Sequence, residues 1–100
     1  DVEKIRPVPP RLLRILSPAE REYVRCDEDF FRLWTLKEAL IKCRGGVLGQ
    51  IRHVHFDLSG SSIICSAPGY SFSLLPAPEG YAAALCWEKL EENRHETHKK

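Results

Sequence analysis

From Asp27 to Arg44 apolar residues recur at helical spacing, with Phe30, Phe31, Leu33, Trp34, Leu36, Leu40 and Ile41 supplying a face for burial. The spacing predicts a helix that opens near Asp27 or Asp29, runs to Cys43 or Arg44 and is closed by Gly45-Gly46. Upstream, "DVEKI" from Asp1 to Ile5 alternates as a short strand does, until Pro7, Pro9 and Pro10 interrupt it. A short helical stretch is expected over Arg11 to Leu16. A second helix is expected from Ser17 to about Arg25, with Ser17 as N-cap, Pro18 at the first helical position and Glu20 at the third, a capping box.

After Gly46 the period changes to two. In "RHVHFDL" Val54, Phe56 and Leu58 share one side, and Ser59-Gly60 turns the chain. The runs "SSIICSA", "YSFSLL" from Tyr70 and "GYAAALCWEK" from Gly80 read as three further strands. Helices followed by an antiparallel meander define an α+β domain over residues 1–90, with the long helix across one face of the sheet. Residues 91–100 read as a polar tail.

One hundred residues suffice for one core. A hydrophobic fraction of 43% and a charged fraction of 29% are those of a globular chain. A net charge of +1 provides no field to steer the chain to nucleic acid, and the basic residues are interspersed with acids without an aromatic platform. No apolar run approaches the length of a membrane span. Cys26, Cys43, Cys65 and Cys86 lack C-x-x-C spacing, which favours reduced thiols over a zinc site and a cytoplasmic setting. The chain contains no methionine and opens on Asp1-Val2-Glu3, which reads as a piece of something longer.

Asp1 and Glu3 share a strand face, and Glu38 borders the apolar stripe of the long helix. Three carboxylates converging from a strand and a helix suit a hard divalent cation such as magnesium. The alternative is an ordinary Glu38–Lys42 pair at i,i+4, with Asp1 and Glu3 solvated. Lys37 and Lys42 frame Glu38 and could present ammonium groups to a phosphate at the edge of the apolar arc. His53-x-His55 and His95-x-x-His98 lack a third ligand and receive no role.

"WTLKEALIK" from Trp34 to Lys42 resembles the W-(S/T)-x-K-E-(A/S)-x-x-K signature of the 4'-phosphopantetheinyl transferase superfamily. "DVEKIRP" resembles that family's G-(I/V)-D-(I/V)-E motif from its aspartate onward, "ILSPAEREYV" its F-S-x-x-E stretch, and "GYAAALCW" its closing strand. The D-x-E form and the tryptophan before K-E resemble the larger, surfactin-synthetase-activator type, two fused α+β units with coenzyme A between them. This chain resembles the second unit. The resemblance implies transfer of the phosphopantetheine arm of coenzyme A to a serine of an apo acyl or peptidyl carrier protein, with magnesium, or alternatively manganese, as cofactor. It implies Asp1, Glu3 and Glu38 as metal ligands, and Lys37 and Lys42 as contacts to coenzyme A phosphates. Glu20 becomes a candidate base, in competition with its capping role. The rival expectation is a noncatalytic half-domain that self-associates through apolar surface.

Overall fold

The computed structural model describes residues 1–46 and 53–89; the expected polar tail and the His95-x-x-His98 pair lie outside them. Strand β1 (Val2–Lys4) leads through a 3-10 segment (Pro10–Ile15) to helices α1 (Pro18–Tyr23) and α2 (Asp27–Arg44). Strands β2 (Phe56–Asp57), β3 (Ile64–Cys65), β4 (Tyr70–Leu75) and β5 (Tyr81–Glu88) follow. Helices packed on antiparallel sheet make this an α+β fold, as the residue pattern predicts.

The capping box at α1 forms in full. Ser17 Oγ accepts from the Glu20 amide at 3.2 Å, and Glu20 Oε1 accepts from the Ser17 amide at 2.9 Å. Helix α2 starts one residue before the expected caps, with Cys26 at the N-cap. Cys26 makes no side-chain cap, and Asp29 takes part of the work by accepting from the Arg25 amide at 3.0 Å. Asp27, Glu28 and Asp29 in the first turn and Lys42 and Arg44 in the last complement the helix dipole. Gly45 closes the helix at φ 73°, a left-handed conformation that costs glycine nothing sterically.

The sheet departs from a four-stranded meander. β5 is central in a three-stranded sheet of order β1-β5-β4, while β2 and β3 form a separate two-residue pair. Strand pairing is interrupted between β3 and β4 at Ala67-Pro68-Gly69, where Pro68 has no N–H to donate and Gly69 sits at φ 86°. The open edge of β5 is taken by β1, with Val2 opposite Ala83 and Glu3 opposite Ala82. The Asp1 carbonyl extends this ladder by accepting from the Ala84 amide at 2.8 Å.

Helix α2 lies on the inner face of this sheet. Ala82 and Ala84 on β5 are small enough to let it approach, and both are buried with Phe30, Leu33, Leu36 and Leu40. Phe72 of β4 meets Phe56 of β2 edge to face, with ring centroids 4.9 Å apart, which ties the small hairpin to the main sheet. Among the described residues, no helix is long and apolar enough to cross a membrane.

Candidate metal centre

Strand parity places Asp1 and Glu3 on the face of β1 that meets α2, and Glu38 projects from α2 toward them. One carboxylate oxygen from each residue lies within 4.8 Å of the others, and all three residues are half-buried. Asp1 Oδ2 and Glu38 Oε1 are buried and accept no hydrogen bond. A buried carboxylate oxygen without a donor is costly, so the arrangement calls for a positive charge or a proton.

The electrostatics agree. Burial, and then the neighbouring Glu3 carboxylate, raise Glu38 from its ordinary value of 4.5 to about 7. Lys42 and the Trp34 side chain, each one helical turn away, act in the opposite direction. The Lys42 ammonium pairs with Asp1 Oδ1 and is otherwise exposed. Arg6 approaches Glu3 Oε1 at 3.4 Å while donating to the Lys4 carbonyl at 2.7 Å, and its guanidinium stacks over the Phe31 ring. Two cations thus stand at the rim of three carboxylates. An all-oxygen donor set of this kind fits a hard divalent ion, and the two orphaned oxygens are the atoms such an ion would satisfy.

Lys37 and Glu20 are placed elsewhere, and the structure does not bring them to the carboxylates. Each is 1% exposed, and Lys37 Nζ lies 3.1 Å from Glu20 Oε1. Lys37 also donates to the Val54 carbonyl, and Glu20 Oε2 accepts from the Phe56 amide at 2.7 Å. This ion pair fastens α1, α2 and the segment leading into β2 to one another. Desolvation lowers the Lys37 pKa from its ordinary value, with Glu20 opposing that shift. In this arrangement neither side chain reaches solvent, where a coenzyme phosphate or a carrier-protein serine would meet it. Consecutive helix residues point about 100° apart, so Lys37 and Glu38 leave α2 in different directions.

Arg6 and Trp34 are neighbours of the carboxylates that sequence reasoning did not assign to the site. Their signals were local: Trp34 stands at i−4 from Glu38, and Arg6 at i+3 from Glu3. A separate cleft between α1 and the β2–β3 hairpin, lined by Tyr23, Leu33, Phe56, Leu58 and Ile64, includes none of the three carboxylates.

The fold and the site together define an α+β protein with three carboxylates gathered between a sheet and its covering helix. Residues 1–94 match the family model of the 4'-phosphopantetheinyl transferase superfamily, and the chain belongs to that superfamily. No curated protein and no solved structure matches the chain. Membership makes the chain a transferase by family and associates it with coenzyme A as substrate, a carrier protein as partner and a divalent metal.

Proposed function

We propose that this chain takes part in magnesium-dependent transfer of 4'-phosphopantetheine from coenzyme A to a serine of an apo acyl or peptidyl carrier protein, in the cytoplasm. The carrying observation is the Asp1–Glu3–Glu38 cluster with its two orphaned oxygens. Asp1, Glu3 and Glu38 would hold magnesium, or manganese, and the ion would supply charge neutralisation for the pyrophosphate. Lys42, exposed beside Asp1, is the lysine available to a coenzyme A phosphate. The serine Oγ attacks the phosphorus bearing the pantetheine arm, and the pyrophosphate P–O bond breaks to release adenosine bisphosphate. Positioning and electrostatic stabilisation carry most of such a reaction. In this reading Glu20 and Lys37, buried against each other, support the site through the fold. The D-x-E form and the tryptophan before K-E support assignment to the second unit of the surfactin-synthetase-activator type.

Intact-mass spectrometry of an apo carrier protein incubated with coenzyme A, magnesium and this chain tests the reading. A phosphopantetheine mass gain that disappears on chelation and with Glu38→Gln is expected. Absence of any gain would overturn the claim that the chain performs the transfer by itself.

A specific observation favours the rival reading of a half-domain that self-associates without activity. The outer face of the three-stranded sheet exposes Val2, Leu75, Tyr81, Leu85 and Trp87 together. Sedimentation of the chain alone across a concentration series separates the readings when combined with the transfer assay: an inactive dimer supports the rival.

A further inference from the structure

The cleft between α1 and the β2–β3 hairpin has a volume of about 600 Å³, the size of a small-molecule site, and shares no residue with the carboxylate cluster. On the α1 wall Ala19, Glu22 and Tyr23 stand at i, i+3 and i+4, so one helix face lines it. The hairpin forms the other wall, with Asp57, Leu58 and Ser59 from the β2 side and Ile64 from β3. The floor is apolar. Leu33 and Phe56 are buried, Tyr23 and Leu58 are half-buried, and Ile64 is 60% exposed, so apolar surface runs from the core out to the mouth. Charge on the walls has one sign: Glu22 stands on the helix and Asp57 on the hairpin, both exposed, and among the described residues no lysine or arginine lines the cleft. Asp57 is held in place, because its Oδ1 accepts from the Ser59 amide at 2.9 Å and from the Ser59 hydroxyl at 2.6 Å. Both bonds use one oxygen, which leaves Oδ2 for another donor. They also hold the Asp57 carboxyl below its ordinary value, so it is charged at neutral pH.

We propose that this cleft binds a small hydrophobic amine, an aryl- or alkylammonium ion whose apolar body lies on Tyr23, Phe56 and Leu58 and whose ammonium group is drawn to Glu22 and Asp57. The two parts of the site do different work. Burial of the apolar body supplies the affinity, and any body of the right size gains it. The carboxylates supply the selection: a cation is attracted, a neutral analogue gains nothing from them, and an anion meets two like charges. Both carboxylates are in water, which screens them, so the selection amounts to a several-fold preference rather than an absolute one.

The test is titration of the isotope-labelled full chain, followed by its amide NMR spectrum, with three probes of nearly one shape: tryptamine, the neutral tryptophol and the anionic indole-3-acetate. Tryptamine should give saturable shifts at the amides of Tyr23, Phe56, Leu58 and Ile64. Tryptophol should bind the same amides at least about 3-fold more weakly, and indole-3-acetate more weakly still. In the double variant Glu22→Gln, Asp57→Asn the affinity for tryptamine should fall to that for tryptophol, which itself should not change. Both positions are exposed, and an asparagine oxygen can still accept from Ser59, so the fold is retained and the same spectrum reports it. No saturable shift with tryptamine, shifts confined to the outer face of the sheet around Trp87, equal or tighter binding of tryptophol or indole-3-acetate, or a tryptamine preference that survives the double variant would each overturn the assignment. The readout is independent of transfer activity and of any metal, so its failure and that of the transferase reading are distinguishable.

Discussion

At the scale of single residues, Glu38 carries the sharpest consequences. Replacing it with glutamine keeps its volume and removes its charge, so transfer should fall on the order of 10²–10³-fold or more while the melting temperature holds. Loss of the folded state in that variant, seen by circular dichroism, would instead make Glu38 a structural ion-pair partner. Its raised pKa sets a second expectation, for protein stripped of divalent cations by a chelator. Between 4.5 and about 7 the unfolded chain has released the Glu38 proton while the folded chain retains it. Stability must therefore fall as pH rises through that window. Thermal melts between about pH 5 and about pH 8 should decline in the chelated protein, and Glu38→Gln should flatten the slope. Glu38 was legible as a carboxylate beside the apolar stripe, and Asp1 and Glu3 as neighbours on one strand face, because both follow from helix and strand periodicity; that the helix brings Glu38 to the other two was decided by packing. Lys37 was not, since the same periodicity allows a lysine near the apolar arc either to run out to solvent or to turn inward to a buried acid.

At the scale of elements, the Glu20–Lys37 pair decides how α1, α2 and the approach to β2 sit against one another. Removing one partner leaves a buried charge without compensation, at a cost of about 3–5 kcal/mol. Glu20→Gln or Lys37→Met should therefore lower stability in urea unfolding by that order, and the double variant should recover a large part of the loss. Equal destabilisation by all three variants would mean that the backbone bonds to Ser17, Val54 and Phe56, rather than the ion pair, carry the effect. The capping box at Ser17 was legible because all its partners lie within four residues. The bond from the Phe56 amide to Glu20 spans 36 residues, and no local pattern encodes it.

For the whole molecule, the sheet has one face under α2 and another on which Val2 is 61%, Leu85 48% and Trp87 43% exposed. The rival reading assigns this face to contact with a second copy of the chain. If it mediates self-association, replacing Leu85 and Trp87 with lysine should convert a dimer to a monomer by sedimentation without lowering the melting temperature by more than a few degrees. A wild-type chain that is monomeric throughout the concentration series would remove self-association as an account of this face.

What the sequence determined by itself was everything governed by short-range rules. Those rules cover the extent of α2, the capping box, the left-handed closure at Gly45, the alternation of β4 and β5, and the shared side of Asp1 and Glu3. They depend on periodicity and on hydrogen bonds reaching a few residues along the chain. The tertiary structure decided which strand takes the edge of β5, that β2 and β3 stand apart from the main sheet, and that Lys37 turns to Glu20. Each of these depends on which surfaces remain open once helix and sheet have packed, a competition among distant segments for the same hydrogen bonds and the same buried volume.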